Sequence, residues 1–176
     1  DSGSYLWIPA NSGLSAGTHG LRIQLALNGQ PLAVDRSSEP FSIPESGAGY
    51  YANDRSTVND EYTAAAGSNR NTGRTAAAPK PGVSQLLRTY QIGSGQTLYA
   101  DTGDYASFQP LVLSGIVGVG DDEGFTFTGP LNAARTALLR YAVPGAAGAV
   151  LRLDDADFMT IGRLSLQGGS RGIEIV

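Results

Sequence analysis

The apolar residues after position 96 come in short runs, and glycine, aspartate or proline separates most of them. Leu111–Leu113, Phe125–Phe127 and Leu164–Leu166 are examples. Such runs are too short for helices of ordinary length and are typical of short strands. Because each run ends near a residue that favours a turn, the chain must bend every few residues. The pattern predicts an all-β fold built like a β-solenoid, with a β-sandwich as the alternative.

The composition agrees with a β-rich fold and excludes several kinds of site. Glycine (24) and proline (9) are too frequent among the 176 residues for a helical bundle. The absence of cysteine removes disulfides and zinc–thiolate sites, and a single histidine, His19, makes a Ser-His-Asp triad hard to assemble. Any chemistry is therefore expected to depend on carboxylates, arginine, lysine and tyrosine.

The charge pattern argues against two classes of partner. The formal net charge is −4, and no run of basic residues is present, so we expect no nucleic-acid binding. No stretch approaches the roughly 18 apolar residues of a membrane span, so we expect no membrane insertion. An acidic, cysteine-free chain rich in glycine, serine and threonine is typical of exported bacterial proteins. We therefore predict a secreted or cell-surface location.

The first segment, residues 1–46, has the pattern of short strands. Apolar residues recur at every second position over Leu21–Leu27, which predicts a half-buried strand. The pair Asn28-Gly29 follows it and is a strong signal for a hairpin turn.

The remaining chain divides at residue 82. Residues 47–82 contain many Asn, Asp, Gly and Pro and predict a long polar loop that begins from a short strand at Tyr50-Tyr51. Residues 83–176 begin with a helix over Val83–Tyr90, because apolar side chains at positions 83, 86, 87 and 90 share one helical face.

Three motifs in the second half follow one another as in a known superfamily. They are Tyr50–Asp54, Pro79-Lys80 and Gly95–Tyr105. Together they resemble the N-terminal start of right-handed parallel β-helix proteins of the pectate-lyase-like superfamily, in the version found in large bacterial surface proteins. The resemblance covers residues 50–176. It implies that the helix caps the end of the β-helix and that the later strands form its first coils.

The N-terminal segment resembles a different family. The sequences Gly3–Pro9, Gly20–Ile23 and Asp35–Ile43 are similar to the C-terminal half of an Ig-like β-sandwich of exported, wall-associated proteins. The fold prediction is therefore all-β: the start of a right-handed parallel β-helix with a short N-terminal capping helix, preceded by partial β-sandwich strands.

Two groups of residues are candidates for binding. Asn53, Asp54, Asp60 and Glu61 offer oxygen ligands, and Ca²⁺ bound by them would order the polar loop, although Asn and Asp are also ordinary loop residues. Tyr5 and Trp7 alternate on one face of a strand. If exposed, the two rings would stack on a sugar, and if buried they belong to a core. No other cofactor is expected.

Three functions fit these observations. The first is a non-catalytic structural or adhesive segment of a large exported bacterial surface protein, which self-assembles through strand edges or is covered by the rest of a longer chain. The second is a fragment of a polysaccharide lyase or hydrolase, which requires two carboxylates, or a carboxylate and an arginine, on one exposed face. The third is a carbohydrate-binding module. We favour the first and expect no catalytic residue.

Overall fold

A computed structural model of the chain describes residues 17–36, 38, 41–43, 49–116, 124–143, 145 and 147–176. The chain divides into two compact units, Asp1–Ser46 and Gly47–Val176. The further division of the second unit at residue 82 stays a prediction.

The described part of the first unit consists of two antiparallel strand pairs. Its strands are β1 (Gly17–His19), β2 (Arg22–Leu27), β3 (Gln30–Arg36) and β4 (Phe41–Ile43). β1 pairs with β4, and β2 pairs with β3. The predicted hairpin turn is confirmed, since Asn28 and Gly29 have φ of 51° and 78°, the left-handed values of a type I′ turn. Ile23 is 62% exposed, so the alternation predicted the strand but not its burial.

The second unit contains ten strands and one helix among its described residues. These elements are β5 (Gly49–Ala52), α1 (Val83–Thr89), β6 (Thr97–Ala100), β7 (Gly103–Ser107), β8 (Leu111–Ile116), β9 (Phe125–Thr128), β10 (Ala137–Tyr141), β11 (Ala149–Ala156), β12 (Met159–Gly162), β13 (Leu164–Gln167) and β14 (Arg171–Ile175). They form three parallel sheets with the strand orders β12-β9-β6-β5, β13-β10-β7 and β14-β11-β8. From β6 onward, consecutive strands join these three sheets in rotation.

The fold-class prediction is wrong. A right-handed parallel β-helix start, with partial β-sandwich strands before it, was expected, and the structure is instead organised as parallel and antiparallel sheets with one helix. The prediction rested on short apolar runs and on turn residues, which decide where a chain bends. They do not decide which strands pair or how many sheets form, because pairing joins residues that are far apart in sequence.

The core of the second unit takes side chains from all three parallel sheets and from the helix. In the four-stranded sheet, Tyr50, Leu98 and Phe127 are completely buried. Burying a large apolar side chain stabilises a fold by about 1.5–3 kcal/mol. The alternation of buried and less buried residues along each strand therefore fixes which face of the strand points inward. The predicted helix is confirmed as α1, which buries Val83 and Leu86 and ends before the extended residue Tyr90.

The polar segment after β5 is tied back to that strand. The backbone N–H of Tyr51 donates to the carbonyl of Gly73, and that of Asn53 donates to the carbonyl of Lys80. Ala52 and Lys80 also form an isolated parallel bridge. The segment therefore lies along the edge of β5 that is not paired with β6, and its position relative to the four-stranded sheet is fixed. No helix within the described ranges is long and apolar enough to span a membrane.

Candidate functional site

The candidate site lies on the outer face of the four-stranded sheet. Strand side chains alternate between the two faces of a sheet, so the residues between the buried positions point outward. Tyr51, Tyr99 and Thr128 occupy such positions and are paired in register across β5, β6 and β9. Thr97 and Thr126 form the next outward row. This face thus combines aromatic rings with hydroxyl groups.

The two strand tyrosines form a stacked pair. The ring centroids of Tyr51 and Tyr99 lie 5.1 Å apart with an interplanar angle of 16°. Both side chains are half-buried, so part of each ring is accessible to solvent. The Tyr51 ring lies over Gly49, where a Cβ atom would come within 3.3 Å of it. The absence of a side chain at Gly49 leaves room for this ring.

A third tyrosine comes from the polar segment. The Tyr62 ring lies 4.8 Å from the Tyr99 ring at an angle of 51°. Its hydroxyl donates a hydrogen bond of 2.9 Å to the carbonyl of Gly129, just beyond β9. Burial raises the pKa of the Tyr62 hydroxyl above its usual value. Tyr62 therefore joins the segment to the sheet.

A buried carboxylate fixes the backbone around Tyr62. Asp101, directly after β6, is completely buried. Its two oxygens accept the backbone N–H groups of Glu61, Tyr62 and Thr63 at 2.7–2.8 Å. They also accept the Thr63 hydroxyl and the N–H of Thr102. Hydrogen bonds to a carboxylate are among the strong ones, and four of these five come from residues 61–63, so they hold this stretch in one conformation.

A second set of hydrogen bonds, donated by Asn53, holds the same polar segment. The Asn53 amide, also completely buried, donates to the carbonyls of Ser56 and Ala65 and to the Asp60 carboxylate. Asp60 Oδ1 is buried and has no hydrogen-bond partner within the described residues. Burial raises the pKa of the Asp60 carboxyl, and the nearby Asp101 carboxylate raises it further, against the lowering effect of the Asn53 bond.

The raised pKa of Asp60 leads to a prediction about pH. The folded protein holds this proton more tightly than the unfolded chain, whose carboxyl has its ordinary pKa of 3.8. Stability is therefore lost as the pH rises from that value through the raised pKa. We expect Asp60→Asn to remove this loss, so that the variant gains stability relative to wild type as the pH increases. Urea unfolding midpoints measured between about pH 4 and pH 7 test this.

The matched control for this prediction is Thr57→Asn, which places an asparagine at an exposed position of the same segment without removing a charge. It is expected to follow the wild-type pH profile. Parallel profiles for wild type and Asp60→Asn would contradict the prediction.

Glu61 forms one rim of the site. Its carboxylate accepts the backbone N–H groups of Leu131 and Asn132 at 2.8 and 3.1 Å. Arg135 lies 3.7 Å from the same carboxylate and donates to the backbone carbonyl of Asp60. The rim is thus bonded to the turn that follows β9.

These residues enclose an open groove of about 540 Å³. The tyrosine groove, as we name it, is lined by Tyr51, Glu61, Tyr62, Thr97, Tyr99, Thr126, Thr128, Leu131 and Arg163. Arg163 lies between β12 and β13 and places its guanidinium 3.5 Å from the Thr128 hydroxyl. The floor is aromatic and rich in hydroxyls, and charged groups stand at its edge. Such a surface favours a ligand that has both apolar and hydroxyl-bearing faces.

The four residues predicted to bind calcium lie close together, and each makes hydrogen bonds within the protein, while Asn53 Oδ1 and Asp60 Oδ1 have no hydrogen-bond partner within the described residues. The Asn53 amide nitrogen faces the Asp60 carboxylate, and Glu61 is bonded to the chain after β9. The Asp54 carboxylate accepts the backbone N–H of Ser56. Within the described residues, no group of three or more acidic or histidine side chains is arranged to hold a metal ion. Calcium binding stays a prediction and contributes nothing further to the site.

The other predicted site residues, Tyr5 and Trp7, lie outside the described residues. The tyrosine groove itself was missed as a site, although Tyr51 and Tyr99 belong to the motifs that carried the β-helix resemblance. One available signal was the order Leu98-Tyr99-Ala100 in a predicted strand, because alternation places Tyr99 on the opposite face from its two apolar neighbours, which the structure buries. The pairing of Tyr99 with Tyr51 had no local signal.

Comparison with models of protein families, with curated proteins and with solved structures finds no match for this chain. The function must therefore be argued from the groove.

Proposed function

We propose that the Gly47–Val176 unit is a non-catalytic glycan-binding module that serves adhesion in an exported bacterial surface protein. The observation that carries the proposal is the contiguous set of three half-buried tyrosine rings, Tyr51, Tyr99 and Tyr62, in one open groove.

Aromatic rings in this arrangement suit a sugar ring. A pyranose has C–H groups on its faces and hydroxyls around its edge. A tyrosine ring offers an electron-rich apolar face, and its hydroxyl offers a hydrogen bond at one end. The rings contact one another at 4.8 and 5.1 Å and form one aromatic platform, in which each ring covers part of its neighbour and leaves its remaining surface to a ligand.

The hydroxyls beside the platform supply the polar half of the recognition. Thr97 and Thr126 line the groove next to the tyrosines, on strands whose positions are set by the sheet. A threonine hydroxyl both donates and accepts, as a sugar hydroxyl does. In a ligand site, a small number of polar groups placed on rigid elements usually fixes the orientation of the ligand.

The engagement of the carboxylates favours binding over turnover. Glycoside hydrolysis uses two carboxyl groups, and a general base must be free to take a proton. Glu61 supplies the carboxylate among the described lining residues, and both of its oxygens accept backbone N–H groups. Asp101 is enclosed beneath the segment. The lyase or hydrolase alternative requires a carboxylate that is free to act. Glu61 and Arg163 both line the groove, but Glu61 is bonded to backbone donors. Self-association through strand edges stays a prediction.

Binding of oligosaccharides to the whole chain tests the proposal. The probe is a library of soluble oligosaccharides that contains matched neutral, uronate and sulfated members, and the readouts are affinity by calorimetry and release of new reducing ends. We expect at least one member to bind and none to be cleaved. The variant Thr126→Gln places a longer neutral side chain on the groove floor and is expected to weaken binding about tenfold.

The control for this variant is Ala106→Gln, which adds the same side chain at an exposed position of β7, outside the groove. It is expected to bind as wild type does. A library with no bound member overturns the proposed function, and cleavage of a bound member favours the enzyme alternative. Equal weakening by the two variants would place the binding elsewhere on the unit.

A further inference from the structure

The charges at the edge of the tyrosine groove are not balanced. Glu61 is compensated, because it accepts two backbone N–H groups and lies 3.7 Å from Arg135. Arg163 instead contacts the neutral hydroxyl of Thr128 at 3.5 Å. Among the described residues, no carboxylate lies within ion-pair distance of its guanidinium. The groove therefore presents one arginine without a charged partner.

The backbone holds Arg163 in an unusual conformation. Its φ is 57°, in the left-handed region that residues other than glycine adopt rarely and at a cost. A Cβ atom at Gly129 would collide with the Arg163 carbonyl oxygen, and the N–H of Gly129 donates to the neighbouring carbonyl of Gly162. The corner after β12 is thus packed directly against the end of β9. This packing fixes the point from which the arginine side chain leaves the backbone.

Arginine is suited to one kind of ligand group at such a place. Its planar guanidinium presents donors in a fixed fork that matches the oxygens of a carboxylate or a sulfate. The position beside Thr128 is one strand away from Tyr99, which a sugar ring in the groove would contact. An anionic substituent on that ring, or on the next one, would lie within reach of Arg163.

We propose that Arg163 makes the tyrosine groove selective for anionic saccharides, those that bear a carboxylate or a sulfate. The inference rests on the proposed function, because it assumes that the tyrosines bind a sugar. The chain as a whole has a net charge of −4, which repels an anionic polymer at long range. Selectivity must then come from the local charge of Arg163, and it decreases as salt screens that charge.

The test compares wild type with Arg163→Gln on the matched members of the oligosaccharide library. Each set has the same linkage and length and differs only in bearing a hydroxymethyl, carboxylate or sulfate group. We expect wild type to bind an anionic member at least tenfold more tightly than its neutral counterpart. Arg163→Gln is expected to bring the two affinities within about twofold of each other. Preference for the uronate or for the sulfated arm identifies the anionic group, and either one supports the inference.

The control is Arg140→Gln, which removes an exposed arginine paired with Asp104 on another sheet. It is expected to keep the wild-type preference. If wild type binds neutral members as tightly as anionic ones, or if Arg163→Gln keeps the preference, this inference is overturned and the proposed function stands. If no member binds to wild type, the proposed function is overturned and this inference with it.

Discussion

Replacing Asp101 by asparagine is expected to lower the free energy of unfolding of the Gly47–Val176 unit by about 3 kcal/mol. An asparagine side chain keeps the shape but has one acceptor oxygen and turns an N–H₂ group toward backbone donors. In the wild-type protein, the two carboxylate oxygens accept the N–H groups of Glu61, Tyr62 and Thr63 and the Thr63 hydroxyl. At least one buried donor would lose its partner, and the remaining bonds would lose the charge of the acceptor.

Urea unfolding of the whole chain, followed by near-ultraviolet tyrosine signals, measures this loss. The control is Asp104→Asn, three residues away on β7, where the carboxylate is exposed and pairs with Arg140 on the surface. Exposed ion pairs contribute little, so this variant is expected to change stability much less than Asp101→Asn does. Similar losses for the two variants would show that Asp101 does not hold the segment as described.

Replacing Tyr99 by alanine is expected to weaken glycan binding about thirty-fold, or by about 2 kcal/mol. Tyr99 is the central ring of the three, since it contacts Tyr51 at 5.1 Å and Tyr62 at 4.8 Å. Its removal deletes the middle of the platform and leaves the outer rings without their neighbour. Residues at the centre of an interface contribute most of its binding energy, and tyrosine is prominent among them.

Calorimetric titration of a bound library member measures this effect, and an unfolding curve checks that the variant remains folded. Phe108→Ala is the matched control, because Phe108 is an aromatic residue that is 75% exposed and does not line the groove. It is expected to leave the affinity unchanged. An affinity of Tyr99→Ala within twofold of wild type would mean that sugars do not stack on this platform.

The elements that could be predicted from the sequence are the local ones. Asn28-Gly29 gave the hairpin turn, the apolar spacing from Val83 gave α1, and Tyr50-Tyr51 marked β5. Each depends on residues within one turn or one strand. The organisation of the sheets could not be predicted in this way, because β5 and β6 pair across the whole polar segment.

The candidate site was missed for the same physical reason. The tyrosine groove needs β5 beside β6 and needs Tyr62 brought to Tyr99 by Asp101, about 40 residues further along the chain. The cluster around Asn53 and Asp60 was found in the sequence and interpreted as a set of calcium ligands. In the structure the Asn53 amide is oriented so that its nitrogen donates to carboxylate and carbonyl oxygens, and calcium binding by this cluster stays a prediction. Composition does not determine that orientation.

The hydrogen bonds to Asp101 also lower the entropy cost of binding a ligand. Ordering the backbone of a flexible residue costs about 1–2 kcal/mol of conformational entropy, and a binding loop that orders on contact must supply this cost from its affinity. Here the stretch from Glu61 to Thr63 is already immobilised by a carboxylate on the sheet, before any ligand arrives. Tyr62 therefore needs little ordering when a ligand binds, although it belongs to an irregular segment. Because little affinity is lost to ordering, weak contacts with single sugar units can add up along a polymer.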